Sequence, residues 1–316
     1  MKLFFKLMLV AAMIGLIAGY QLPVLAGDGG QTSAEVLRIA PGAANSAMGG
    51  AGVASIAGPA ALHYNPAGLA FATDRDLELT YQQLVEDISY GNVDYIHGLS
   101  PDHRIAGGLR YLDYGSVERI ELVGGQLQQT GRFSDFDMVA SMGFAENRGN
   151  WSWGAAAKII HLEIGGESAN AFALDAGLQW HSQNPELPLS AGIMVANLGT
   201  QPKFDSESED LPLLTRFGIS YDLEHDLGVN MLTHFDFDYQ FHSEELGFLW
   251  GLEWQATDTF ALRGGYDGTI DDVDNGLTAG LGITIDERMD FDYAYIPFGD
   301  FGDLHRLAFR YNLGGN

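Results

Sequence analysis

The stretch VNMLTHFDFDYQF, Val229 to Phe241, decides the fold of this 316-residue chain. Its apolar and polar side chains alternate with a period of two, and successive side chains of a β-strand point to opposite faces of a sheet. The apolar face carries Val229, Met231, Thr233, Phe235, Phe237, Tyr239 and Phe241, and the opposite, largely polar face carries Asn230, Leu232, His234, Asp236, Asp238 and Gln240. The pattern predicts a strand with one greasy and one wet face.

The same alternation recurs along the chain from Arg75 onward, as in FALDAGLQWH (172–181) and RMDFDYAYI (288–296). A soluble β-sandwich shows similar half-buried strands, so the alternation by itself leaves the location open. We count about fourteen such runs, beginning near residues 75, 88, 104, 133, 151, 170, 188, 213, 229, 246, 259, 276, 288 and 304.

The connections between these runs favour a membrane barrel. Long links follow the third, seventh and eleventh runs, at Gly115–Arg132, Leu198–Pro212 and Asp267–Asn275, whereas tight links such as ENRGN and DER follow several even-numbered runs. Outer-membrane barrels have short periplasmic turns and longer external loops. An aromatic girdle at the periplasmic strand ends is expected from Trp151, Trp180, Tyr221, Trp254 and Tyr311.

An open sheet edge cannot persist in hydrocarbon, because every unpaired backbone group there costs several kcal/mol. The sheet must therefore close. We predict an all-β fold, a closed antiparallel transmembrane β-barrel of about 14 strands, over residues 74–316.

The first 26 residues read as a secretory signal peptide. Lys2 and Lys6 form a basic region, Leu7–Ala18 an apolar core, and Val24–Ala26 a small-residue cleavage site. A transmembrane anchor needs about 20 apolar residues, and Tyr20–Pro23 interrupts the run too early. We expect export to the outer membrane of a Gram-negative-type bacterium.

Charge and cysteine content exclude several kinds of partner and chemistry. The chain has 16 basic and 42 acidic residues; removing the signal peptide takes away two lysines, so 14 against 42 leaves −28. Such a field repels nucleic acid. No cysteine is present, which removes disulfides, thiol catalysis and thiolate metal sites. Arg110 and Lys158 lie in mid-strand positions and are expected to face the lumen, since the lipid face would penalise them.

Residues 27–73 precede the first strand and have no strand pattern of their own. Eight strands enclose a lumen that side chains fill, while 16 to 18 leave an aqueous channel. Fourteen strands leave a space that we expect this segment to plug. A flexible linker is the alternative, but the segment is more apolar than a linker needs, with Met48, Val53, Ile56, Leu62, Tyr64 and Leu69.

Two blocks of this segment carry a family resemblance: APGAANSAMGGAGVAS (40–55) and AALHYNPAGLA (60–70). Together they resemble the N-terminal signature of the PorV/PorQ family, relatives of FadL-type fatty-acid transporters. The resemblance implies an outer-membrane barrel with an N-terminal hatch. The chain departs from common barrel proteins by ending FRYNLGGN rather than on an aromatic residue. The hatch motif then comprises Met48, Gly49, Gly50, Gly52, Asn65, Pro66, Ala67 and Gly68.

Signals for catalysis, cofactors or metals are weak. Ser116, Ser134 and Ser152 lack a GxSxG context, and GGAGVASIAG (49–58) lacks the strand and the Lys-Ser/Thr of a phosphate loop. We therefore expect neither an enzyme nor a cofactor. His234 with Asp236 and Asp238 could form a lumenal cation site, but hydrogen-bonded wall residues are the stronger interpretation. The loop 267–276 suits Ca²⁺ in composition but lacks EF-hand spacing, so a solvated hairpin tip is favoured.

Two function classes remain. The resemblance implies a type IX secretion component whose external loops bind the C-terminal domains of secreted proteins or hand them to secretion machinery. The FadL-like kinship implies transport of hydrophobic small molecules through the lumen. The short chain and aspartate-rich inner face favour secretion. The acidic stretches 205–210 and 271–274 also suggest divalent cations that bridge to lipopolysaccharide phosphates.

Overall fold

The computed structural model describes residues 32–85, 87–123, 125–204, 207–269, 276–299 and 302–314. The expected signal peptide, residues 1–26, lies outside these described residues, as does the acidic stretch 271–274. No helix in the described part of the chain is long and apolar enough to cross a membrane.

Strands dominate the described chain, and fourteen of them form one closed antiparallel barrel, as predicted. Two further strands, β8 and β9, pair only with each other in the link between β7 and β10. The strands are β1 Arg75–Gln83, β2 Ser89–Ser100, β3 His103–Val123, β4 Gln126–Arg148, β5 Trp151–Ile164, β6 Glu167–His181, β7 Leu189–Gly199, β8 Lys203–Phe204, β9 Glu207–Ser208, β10 Leu214–Asp222, β11 Met231–Gln240, β12 Glu245–Gln255, β13 Phe260–Asp267, β14 Leu277–Ile285, β15 Met289–Pro297 and β16 Asp303–Asn312.

The barrel closes through the first and last strands. β1 pairs with β16 over its length, from Asp76 opposite Asn312 to Gln83 opposite His305, while its other edge pairs with β2. Each barrel strand thus has a neighbour on both sides, which satisfies the backbone groups that hydrocarbon would leave unpaired.

The predicted period of two places polar residues inside and apolar residues outside. On β1, Asp76, Glu78 and Thr80 are buried in the interior while Leu79 and Tyr81 are exposed on the outer surface. On β11, the side chains of His234, Asp236 and Asp238 likewise point inward and are buried, as expected. The apolar face of each strand therefore forms the outer surface, and the polar face lines the lumen.

The two ends of the barrel differ. We call the end where β1 begins and β16 finishes the turn end, and the opposite end the loop end. Turn-end links include the two-residue turns 101–102 and 149–150, whereas loop-end links include residues 200–213. The predicted girdle residues all lie at the turn end and on the outer face: Trp151, Trp180, Tyr221, Trp254 and Tyr311.

One predicted loop is wrong. The sequence predicts an external link over Gly115–Arg132, but the described residues of β3 and β4 continue through it as a paired hairpin. Ser116 pairs with Ser134 and Val123 with Gln126. Neighbours β2 and β5 stop pairing at Asp113 and Phe136, so the hairpin projects beyond the wall. A hairpin that projects beyond the membrane does not need apolar side chains on alternate positions. Its sequence of mixed polarity therefore resembles that of a loop.

Residues 32–73, which we call the lumenal segment, contain only short helices. Its first end lies at the loop end, where Ser33 N donates to Asp210 O at 3.0 Å, and its last residues lead into β1 at the turn end. Helix Ala43–Ala47 contacts β13 to β16, and the 3-10 helix Pro66–Phe71 contacts β3 to β6, on the far side of the barrel. The remaining helices are the 3-10 helix Glu35–Leu37 and helix Ala61–Tyr64.

Candidate functional site

The two sequence blocks of the lumenal segment are bound to each other through Asn65. This side chain is fully buried; its Nδ2 donates to Val53 O at 2.8 Å, and its Oδ1 accepts from Ala67 N at 3.1 Å. The second bond caps the 3-10 helix that Pro66 begins, where a missing N–H is tolerated. Gly68 completes the contact, because a Cβ there would overlap the carbonyl of Ile56. One asparagine thus joins the NPAG turn to the preceding block.

The first block forms a tight glycine turn against the wall. Helix Ala43–Ala47 ends at Met48, and Gly49, Gly50 and Gly52 follow with φ of 64°, 74° and 130°. Left-handed backbone of this kind favours glycine. The helix that precedes these glycines is only five residues long.

Wall side chains on β10, β11 and β14 bind the backbone of this turn. Asp236 Oδ2 accepts from Gly52 N at 2.7 Å and from Val53 N at 2.9 Å. Thr278 Oγ1 accepts from Gly49 N at 2.9 Å. Arg216 Nη1 donates to Gly50 O at 2.9 Å. Backbone groups that the irregular turn leaves unpaired are satisfied by the barrel, as buried polar groups require.

Inward-facing glycines of the strands form the other half of this fit. A Cβ at Gly265 would overlap the backbone of Met48 and Gly49, and one at Gly177 would overlap the Asn65 amide. Glycine inside a strand often marks close approach of another backbone. Five further wall glycines meet the lumenal segment in this way: Gly143, Gly154, Gly192, Gly251 and Gly280.

Buried charge pairs line the lumen around the segment. Asp238 pairs bidentately with Arg216, with Nη2 to Oδ2 at 2.5 Å. Nε2 of His63 lies 2.8 Å from Oδ1 of Asp94, with both side chains buried. Arg306 of β16 donates from Nη1 to Ala40 O and Ser46 Oγ. These contacts tie the segment to opposite walls of the barrel.

The lumen-facing placement of Lys158 and Arg110 is as predicted. Lys158 Nζ lies 2.6 Å from Asp175 Oδ2 and donates to Asn197 Oδ1 at 2.7 Å, beside a register shift between β6 and β7. Arg110 is 2% exposed and donates from Nη1 to Val36 O at 3.4 Å. Both cations therefore lie in the lumen and not on the lipid-facing surface.

The possible cation site at His234, Asp236 and Asp238 is instead a set of hydrogen-bonded wall residues. His234 Nδ1 lies 2.9 Å from Ser220 Oγ and 3.1 Å from Ser55 Oγ, while both aspartates bind the groups described above. Among the described residues, no group of three or more His, Asp or Glu side chains is placed to hold a metal ion.

The hatch-motif residues form two groups that face each other. We call these two groups, together with the wall residues that they contact, the seat. Met48 and the three glycines contact β10 to β14, while Asn65, Pro66, Ala67 and Gly68 contact the β5–β6 side. The period-two pattern does not reveal the wall residues of this site, which are the inward-facing glycines, Arg216 and Thr278. Mid-strand glycines were the available signal.

A protein-family model described as "Type IX secretion system protein PorV" matches residues 29–234, about two thirds of the chain. The match spans the whole lumenal segment and the wall from β1 into β11. No curated protein sequence matches the chain significantly.

Solved outer-membrane barrels share the fold. The Pseudomonas putida toluene transporter TodX superposes with a TM-score of 0.59 at 14% identity, covering 87% of this chain and 99% of its own. The Ralstonia pickettii toluene transporter TbuX gives 0.56 at 15% identity, covering 86% and 98%. A Pseudomonas aeruginosa FadL homologue gives 0.55 at 11% identity, covering 92% and 100%. At these identities the likeness shows a common FadL-like architecture.

Proposed function

Because this chain belongs to the PorV family of type IX secretion system proteins, we propose that it is an outer-membrane component of type IX secretion that binds secreted proteins at the cell surface. The observation that carries the proposal is the family match across both the lumenal segment and most of the wall. Family and fold are those of secretion or transport barrels, not of an enzyme family.

The β3–β4 hairpin is the proposed contact for secreted proteins. Beyond Asp113 and Phe136 its two strands pair, among the residues that the structure describes, only with each other, which leaves the backbone N–H and C=O groups of both outer edges without a strand partner there. Such edges accept an added strand from a partner. We expect the C-terminal domain of a secreted protein to dock there, before it passes to other secretion machinery.

A pulldown from solubilised outer membranes tests this role. The full chain should recover secreted proteins through their C-terminal domains, while a variant with residues 115–132 replaced by a two-residue turn should lose them. A matched control inserts two glycines into the 165–166 turn, also at the loop end, and should retain them. Recovery of no secreted protein by any of these variants rejects the proposal.

The lumenal segment supports a second proposal, that residues 27–73 act as a plug. Its bonds to Asp236 of β11, Thr278 of β14 and Arg306 of β16 favour a fixed position within the lumen. A seated plug suits a surface-binding barrel better than an open channel.

Transport of hydrophobic small molecules is the alternative, favoured by the architecture shared with toluene transporters. An apolar cluster at the loop end suits such a ligand in composition, but Val36 and Leu37 of the lumenal segment already pack with Tyr90, Leu112 and Leu162 there. Saturable uptake of a labelled fatty acid by the wild-type chain, together with a pulldown free of secreted proteins, would reverse our ranking.

Lipid and lipopolysaccharide are further proposed partners. The exposed outer face suits acyl chains, and the acidic loop-end stretch 205–210 suits divalent cations that bridge to lipopolysaccharide phosphates. Asp210 already accepts from Gln201 Nε2 at 2.6 Å, and residues 205–206 lie outside the described part of the chain. Unchanged stability of the protein in cells after chelation would remove the cation bridge.

A further inference from the structure

A cavity of about 330 Å³ lies between the lumenal segment and strands β1 and β11 to β16. Several lining residues are within two or three positions of strand ends at the turn end, including Gln255, Thr284 and Asp290. The cavity therefore belongs to the turn-end half of the lumen, away from the projecting hairpin. Its charged lining residues are Glu78, Glu253, Arg263, Asp290, Asp292 and Arg310.

Both guanidiniums of the cavity are already engaged. Arg263 bridges two carboxylates, with Nε 2.5 Å from Glu253 Oε2 and Nη1 2.6 Å from Asp292 Oδ1. Arg310 Nη2 lies 2.7 Å from Oδ2 of buried Asp76. Two positive charges are thus already paired with three carboxylates, and Glu78 and Asp290 add two further carboxylates. The cavity carries an excess of negative charge.

Glu78 is the unpaired member of this set. Glu78 is 8% exposed, and among the described residues its carboxylate makes no hydrogen bond and no close ion pair. A buried carboxylate without a partner is costly, so buried charges are ordinarily paired. Asp290, in contrast, accepts from Thr284 Oγ1 at 2.7 Å.

A second unpartnered polar atom lies on the opposite wall. His234 is 3% exposed, and although its Nδ1 meets two serine hydroxyls, its Nε2 has no hydrogen-bond partner. The lumenal segment lines the cavity there with small, uncharged residues, among them Gly42, Ala44 and Ala57. Negative charge on one side and methyl groups on the other suit a cation that has a short aliphatic stem.

We propose that this cavity binds a ligand bearing one alkylammonium or guanidinium group, with the Glu78 carboxylate as its counter-ion and the stem against Ala44 and Ala57. The absence of a three-ligand cluster among the described residues argues for an organic cation rather than a metal ion. The group can come from a small molecule or from a lysine or arginine side chain of a polypeptide. This proposal does not depend on the role in secretion.

Calorimetry on the full chain in a non-ionic detergent at low salt tests the proposal. Ethylguanidinium should bind, and its neutral isostere N-ethylurea should bind at least tenfold more weakly. Glu78→Gln should weaken ethylguanidinium at least tenfold. Glu167→Gln makes the same charge change at an exposed loop-end position and should alter binding less than twofold.

Ala44→Leu provides a second variant, because it fills the cavity without changing charge and should also weaken ethylguanidinium at least tenfold. It decides the question if Glu78→Gln fails to fold. A tetrapeptide Gly-Arg-Gly-Gly identifies the source: binding tighter than ethylguanidinium indicates a polypeptide side chain, and binding of ethylguanidinium alone indicates a small molecule. Equal binding of ethylguanidinium and N-ethylurea, or unchanged binding in both variants, overturns the proposal.

Discussion

Gly265 on β13 illustrates how single residues set the distance between wall and lumenal segment. A Cβ at this position would overlap the backbone of Met48 and Gly49, whereas Gly264, its neighbour on the outer face, has nothing nearer than 3.9 Å. We expect Gly265→Ala to lower the free energy of unfolding by about 1–3 kcal/mol, the usual range for overpacking. Urea unfolding in lipid vesicles measures this.

Gly264→Ala is the matched control, since it adds the same methyl group one residue away on the opposite face. It should leave the unfolding midpoint close to wild type. Equal destabilisation by the two substitutions would mean that strand glycine content, rather than contact with the segment, matters.

Arg216 provides a second prediction at this scale. It pairs with Asp238, donates to Gly50 O and lies 5.9 Å from the centre of the Tyr64 ring. Arg216→Met leaves a buried carboxylate unpaired, which we expect to cost about 3–5 kcal/mol. Adding Asp238→Asn should recover part of the loss, because the two effects are coupled.

Arg148→Met is the control for this cycle. Arg148 pairs with Glu146 at 2.6 Å, but its side chain is 72% exposed, so solvent screens the pair and little change is expected. A loss as large as that of Arg216→Met would contradict the importance of burial.

The sequence predicted one side of the seat better than the other. The NPAG turn and the glycine block were recognisable because Asn-Pro and Gly-Gly are local signals. Arg216 and Thr278 were not, because the period of two assigns each side chain to a face but does not say which segment it meets across a lumen. Gly177 and Gly265 could have been flagged as mid-strand glycines.

The β3–β4 hairpin is the element whose extent the sequence did not reveal. Strand positions elsewhere were predictable because lipid on one side and polar groups on the other force alternation, as in β11. Residues 116–123 and 126–134 extend past the wall and are not held to that pattern. The fourteen predicted strand starts lie near the starts of the observed barrel strands. The predicted end of β3 and start of β4, in contrast, were wrong by the length of the projecting hairpin.

Removing this hairpin should leave the barrel itself intact. The variant with residues 115–132 replaced by a two-residue turn keeps the β3 pairs with β2 and the β4 pairs with β5, because those end at Asp113 and Phe136. We expect unchanged heat-modifiable migration on gels. Loss of the folded form would show that the projection is needed for the wall.

At the scale of the whole molecule, the proposed plug role of the lumenal segment makes a prediction about conductance. Fourteen strands enclose more space than the eight that side chains alone can fill. Deleting residues 32–72 should produce steady conductance in planar bilayers, whereas the full chain should conduct little. Equal conductance of the two chains would show that the segment does not obstruct the lumen.

Orientation in the membrane is testable because the chain has no cysteine. Ser168, exposed at the loop end, and Asp258, exposed at the turn end, can each be replaced singly by cysteine. In intact cells a membrane-impermeant maleimide should label Ser168→Cys and not Asp258→Cys, which should react only after permeabilisation. The reverse result would invert the assignment of the ends.

The path of the lumenal segment constrains how the molecule can be assembled. The segment starts beside Asp210 at one end of the ring and runs to Arg75 at the other, and the seam between β1 and β16 joins residues far apart in the chain. Contacts of such long range form slowly. Either the sheet forms around the segment and β1 pairs with β16 last, or the segment must enter a barrel that has already closed. In the first case, mutations that slow the β1–β16 pairing should cause an intermediate with an open barrel to accumulate.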